Sequence, residues 1–180
     1  MTRLAITSTI VGVVVIAGRV PGIIAPEKFG EVVRRVPRSV LWGRILMGIA
    51  AVWAWIVLFN AATDDWAWAR PFVVFGVPIA YWLVIQFADQ FLALRGLAAL
   101  LLLIAKVMVD AADRSDLPLR LVVTVLAYLW VCGAIWMASA PHQVRDVLGF
   151  ITANTSRCRL ACFLGSLVGA LLVVLGLCVY

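Results

Sequence analysis

Residues 40–62 read VLWGRILMGIAAVWAWIVLFNAA and hold a single charged side chain, Arg44. A run of about 20 apolar residues is what an α-helix needs to cross a hydrocarbon layer of roughly 30 Å. The run lacks the alternation of polar and apolar positions that marks a strand of a membrane barrel, so it reads as a helix. Working outward, five more runs share this character, at about 4–24, 71–89, 93–112, 118–139 and 159–180. Across the 180 residues, 65% are apolar and 13% charged, with a mean hydropathy of +1.09. So few charges cannot cover a water-soluble surface, whereas lipid accepts an apolar exterior and demands only that backbone groups be satisfied internally. The expected fold is all-α, a polytopic bundle of about six transmembrane helices forming one membrane domain over 1–180. The fourth run is the weakest, because Lys106 and Asp110 follow its apolar stretch 97–105. A five-span alternative lays that segment in the interface.

If all six runs cross, the connections 25–39, 90–96 and 140–158 share one side. In or beside them stand Arg19, Lys28, Arg34, Arg35, Arg38, Arg44, Arg95, Arg145, Arg157 and Arg159. The opposite side receives Arg3, Arg70, Arg114 and Arg120, with Asp64, Asp65, Asp110, Asp113 and Asp116 in or near its connections. Ten basic groups against four place the basic loops in the cytoplasm and both termini outside a bacterial-type plasma (inner) membrane. A cleavable signal peptide competes for residues 1–25, with Val15, Ile16 and Ala17 as its cleavage site. Cleavage would put the basic 25–39 connection outside, which favours a retained first span. The net charge of +6 is assigned to anionic cytoplasmic headgroups and not to nucleic acid.

The first and last thirds of the chain repeat one pattern. Ala25-Pro26 and Ala140-Pro141 each follow a span and open a short segment. Phe29, Val32, Val33 and Val36 recur as Val144, Val147, Leu148 and Ile151, each 115 positions later, as do Glu31 as Asp146 and Gly18 as Gly133. This i, i+3, i+4, i+7 spacing predicts two amphipathic helices lying in the membrane interface. Pro26 and Pro141 suit a first helical turn, Pro37 stops the first segment, and Ser39 and Ser156 are candidate caps. The chain divides into repeat unit one (1–62), a middle hairpin (63–116) and repeat unit two (117–180), the units being parallel in orientation.

Each unit joins an outward-starting helix, a Pro-led basic amphipathic stretch and a Gly-containing helix. On Pro26, Arg38, Gly43 and Gly48, and on Pro141, Arg157, Gly165 and Gly169, it resembles the small two-span YjeT-like inner-membrane proteins of unknown function. The resemblance implies topology and brings no activity with it.

Lys106 is the first candidate functional group, because a charge near the middle of a span costs at least about 2.5 kcal/mol. Asp110 stands one helical turn on, and Gln86 and Asp89 of the preceding span are further candidates for a polar pathway. The plainer reading has Lys106 snorkelling outward with Asp110 at the interface. Gln86, Asp89, Gln90 and Arg95 read as helix-end groups at the turn of the middle hairpin. Cys158 and Cys162 with His142 are too few and too loosely spaced for zinc, and the cysteines, Cys132 and Cys178 included, read as small packing residues. One histidine excludes paired-histidine haem ligation within the chain. No hydrolase, phosphate-loop or metalloprotease motif is present, and Ser166 has no base in register. Trp42, Trp66, Trp68 and Trp136 read as interfacial anchors, and Trp53, Trp55, Trp82 and Trp130 as deeper packing. Gly43, Gly48, Gly165 and Gly169 are candidate points of close helix approach.

The sequence therefore predicts no catalytic, cofactor or metal site. It favours a non-enzymatic accessory subunit or scaffold that meets other membrane subunits or itself. A small transporter or channel using Lys106, Asp110, Asp89 and Gln86 is the alternative.

Overall fold

The computed structural model of the chain describes residues 2–35, 39–61, 68, 70–87, 91–115 and 119–180. Val36, Pro37, Arg38, Asp64, Asp65, Trp66, Asp89, Gln90 and Asp116 lie outside these. Eight α-helices and no strands occur among the described residues: α1 (Arg3–Ile24), α2 (Pro26–Arg35), α3 (Val40–Ala61), α4 (Arg70–Phe87), α5 (Leu92–Asp113), α6 (Arg120–Ser139), α7 (Pro141–Thr152) and α8 (Thr155–Val174). A π-helical turn, Leu175–Val179, prolongs α8. Six of these helices, all but α2 and α7, are long and apolar enough to cross a membrane. The outer surface carries bare Leu121, Phe72, Leu129 and Val14, an exterior that suits lipid far better than water.

The six long helices run alternately up and down. At one end Leu4 of α1, Ala111 and Ala112 of α5, Val123 and Ala127 of α6, and Leu172 and Leu175 at the end of α8 form a single core. That end is fastened by two hydrogen bonds: the Thr2 hydroxyl donates to the Tyr180 carbonyl (3.3 Å) and the Tyr180 phenol to the Leu119 carbonyl (2.8 Å). At the opposite end α2 and α7 touch, Gly30 sitting against Thr152.

The closest pairing is α1 with α8, residues far apart in the chain brought together antiparallel. Ala5, Ser8 and Gly12 are buried on α1, and Cys158, Cys162, Gly169 and Leu172 on α8. A methyl group added at Gly12 would stand 2.6 Å from the Gly169 carbonyl oxygen, and one at Gly169 2.9 Å from the Gly12 oxygen. Backbone therefore meets backbone, the approach that small residues permit between apolar helices. Ser8, Thr9 and Ser166 bury hydroxyls in and around this pair that find no partner among the described residues.

The segment that Lys106 and Asp110 made doubtful as a span, α5, is long and apolar enough to cross and is the hub. It packs on α3, α6 and α1 and buries Leu92, Ala93, Leu94, Gly96, Ala98, Ala105, Met108, Ala111 and Ala112. Small residues on several sides let three neighbours approach, which outweighs the cost of two charged side chains at one edge. Phe91 and Leu119, the residues just before α5 and α6, take left-handed backbone angles (φ 60° and 62°), a conformation that costs a side-chain-bearing residue about 1–2 kcal/mol.

The caps correct one expectation. Ser39 caps α3, accepting from the Trp42 N–H at 3.4 Å. Ser156 does not cap α8: the helix starts at Thr155, and Asn154 accepts from the Ser156 N–H at 3.0 Å. An Asx side chain immediately outside the first turn takes the free donor first.

Candidate functional site

Lys106 and Asp110 sit one turn apart on α5, and the ammonium group donates to the Asp110 carboxylate. Both side chains are about half exposed, 48% and 47%, so the pair lies on the flank of the bundle and not in its interior. Lys106 stands fourteen residues beyond Leu92, about 21 Å along the helix. Gln86 occupies the last turn of α4 and is exposed at the end where α5 begins. The described residues therefore join Lys106 to Asp110 and keep Gln86 roughly 20 Å from them.

Asp110 also lines a crevice of about 290 Å³ with Arg3, Ile6, Thr7, Val107, Ala111 and Arg114. Thr7 and Val107 continue into an adjoining groove of about 490 Å³, walled by Ile10, Val11, Val14 and Val15 of α1, Trp53 of α3, Leu97, Leu101 and Ile104 of α5, and Trp130 of α6. Thr7 is the groove's one hydroxyl-bearing residue, and that hydroxyl donates to the Arg3 carbonyl at 2.8 Å. Of the deeper tryptophans, Trp53 and Trp130 thus line this groove, while Trp55 and Trp82 face outward. Sequence reasoning missed the groove because its walls come from four helices. The visible signal was the apolar face Leu97, Leu101, Ile104 at helical spacing.

At the other end, α2 and α7 bound an open cleft of about 780 Å³ lined by Glu31, Val33, Arg34, Arg35, Ser39, Arg145, Asp146, Leu148 and Gly149. Its cations are all engaged: Arg34 donates to the Gly30 carbonyl, Arg35 faces Glu31 at 3.8 Å, and Arg145 pairs with Asp146 at 2.9 Å while lying over the Phe91 ring. Of the expected apolar stripes, Val144 is buried, Phe29, Val33, Leu148 and Ile151 are half-buried, and Val32 and Val147 are bare.

Arg19 lies across α8, donating to the Ala161 carbonyl at 3.3 Å, and its guanidinium fills the space over Gly165. Gly165 therefore accommodates a side chain, whereas Gly169 meets backbone. Gly43 faces Leu92 and Ala93, and Gly48 faces the Tyr81 hydroxyl. Cys158 and Cys162 are buried free thiols, Cys158 against the Pro26 carbonyl and Cys162 against Gly22, and Cys132 and Cys178 are exposed. His142 is exposed on α7. Among the described residues no three His, Cys, Asp or Glu side chains converge as metal ligands.

Comparison with known proteins returns no match, whether to a family, to a curated protein or to a solved structure.

Proposed function

We propose that the chain is a six-span protein of a bacterial-type inner membrane, with both termini outside and the α2–α7 end in the cytoplasm, serving as an accessory or scaffold subunit of a membrane complex. The basic residues crowding the α2–α7 end support this orientation. The observation that carries the subunit reading is α4. No residue of this helix is buried, and its main contact is with α3. Its free side presents Phe72, Phe75, Gly76, Ile79, Ala80 and Trp82, all exposed, and nothing lies within 4 Å of a methyl group placed on Gly76. Gly76 and Ala80 have the small-xxx-small spacing that lets a second helix approach closely.

The duplication is supported by the two elbows. Ala25 (φ −131°, ψ 69°) and Ala140 (φ −129°, ψ 63°) have nearly the same backbone angles. Each donates its N–H to the carbonyl four residues back, Pro21 or Trp136, at 2.9 Å, and each precedes a helix begun by proline. We read both units as copies of one span, short helix, span module of the YjeT-like kind. A transport pathway through Lys106, Asp110 and Gln86 has less support, since the ion pair faces the flank and Gln86 belongs to the other end.

Purification of the tagged protein from its host membrane in mild detergent, followed by mass spectrometry, tests the subunit reading. Stoichiometric companions are expected, and they are lost with G76L/A80L but kept with G133L, a substitution at another open glycine. A lone chain, or companions indifferent to the α4 substitutions, overturns it. In proteoliposomes K106M is expected to leave ion leakage unchanged; a large change revives the transport reading.

A further inference from the structure

The crevice at Arg3 and Arg114 and the groove behind it share the walls Thr7 and Val107, and the two halves differ sharply in chemistry. The inner half is walled by aliphatic side chains and two indole rings and suits hydrocarbon. Its length along α5, from Leu97 to Val107, is about 15 Å, half of a roughly 30 Å hydrocarbon layer and so the depth of one leaflet. The outer half lies where α5 ends, at the level expected of headgroups. There the Asp110 carboxylate is neutralised by Lys106. Arg3 and Arg114 are exposed and have no acidic partner among the described residues. Asp113, the nearest other carboxylate on α5, is exposed and does not line the crevice.

We propose that this is a binding site for an anionic phospholipid, one acyl chain lying between α1 and α5 against Trp53 and Trp130, and the phosphate held by Arg3 and Arg114. Charge complementarity selects the occupant: a zwitterionic lipid carries its own cation beside the phosphate, whereas an anionic lipid brings an uncompensated phosphate diester that accepts from both guanidinium groups. Thr7, at the junction of the two halves, has its hydroxyl engaged with the Arg3 carbonyl. The inference rests on the chain spanning a membrane. The occupied leaflet follows from the orientation proposed above, being the outer one if the termini are outside.

Native mass spectrometry of the detergent-purified full chain, titrated with phosphatidylglycerol or with phosphatidylcholine of the same acyl chains, tests the site. One tightly held phosphatidylglycerol is expected, preferred roughly tenfold or more over phosphatidylcholine, as two basic groups near a lipid headgroup imply. R3Q/R114Q should erase the preference while leaving chain binding, and L101W, which fills the groove, should abolish retention of either lipid. Both arginines are exposed, so R3Q/R114Q keeps the test decisive if L101W does not fold. A preference that survives R3Q/R114Q, equal retention of both lipids by the unsubstituted chain, or retention of phosphatidylglycerol by a folded L101W overturns the proposal. Release of the protein from membranes by carbonate without detergent would instead refute the spanning reading itself.

Discussion

Replacing Gly12 with Ala adds one methyl group where the backbone of α1 meets that of α8. That carbon would stand 2.6 Å from the Gly169 carbonyl oxygen, 2.8 Å from a Val173 methyl and 2.9 Å from the Val173 nitrogen. Two of these are backbone atoms of the facing helix, so no side-chain rotation relieves them. Restoring an ordinary 3.4 Å contact to the carbonyl moves the helices apart by about 0.8 Å. A gap of roughly 0.5–1 Å forfeits a quarter to a half of the dispersion energy of the atoms lining it. Overpacking of this kind costs about 1–3 kcal/mol. Set against that, Ala is the better helix former by roughly 1 kcal/mol.

Gly18 separates the two terms. It lies on the same helix with nothing within 4 Å of an added methyl, so G18A takes the propensity gain without the contact. G12A is therefore expected to be less stable than G18A by about 1–3 kcal/mol. The double variant G12A/G169A should cost less than the sum of its parts, because the helices need separating only once. Reversible unfolding in mixed micelles with rising dodecyl sulfate, followed by the fluorescence of the eight tryptophans, gives these differences. A G12A protein as stable as G18A would refute the backbone contact between α1 and α8.

The same unfolding assay reads two further substitutions. Ser8 is fully buried with an unpartnered hydroxyl, an arrangement that costs about 1–3 kcal/mol, so S8A should raise stability by roughly 1 kcal/mol; a loss of that size would mean that the hydroxyl has a partner. Leu119 is 55% exposed and held at φ 62°, and since Asn tolerates left-handed angles better than Leu, L119N should stabilise by about 0.5–1 kcal/mol, whereas equal or lower stability would show that the strain is offset by contacts of the Leu119 side chain.

The positions of the long helices were legible in the sequence because length and hydropathy are local properties. The runs 4–24 and 40–62 correspond to α1 (Arg3–Ile24) and α3 (Val40–Ala61) within a residue. Which helix would be central was not legible by the same measure. Hydropathy does not single out α5, since the last span exceeds it, and burial follows shape: Ala98, Ala105, Met108 and Ala112 recur at helical spacing and form the face on which neighbours pack. The repeat cut both ways. It drew attention to Gly18 and Gly133, which match at the 115-residue offset but face open space. It said nothing of Gly12, whose partner Gly169 lies in the other terminal unit. A contact between units is a property of neither unit alone, and no periodicity within one segment announces it. The candidate lipid site has the same character, with its apolar walls drawn from α1, α3, α5 and α6 and its cations from the ends of α1 and α5. What a single apolar helix writes into its sequence is that it is long and apolar enough to cross; where it presents a backbone, a groove or a charge to its neighbours is written only jointly with them.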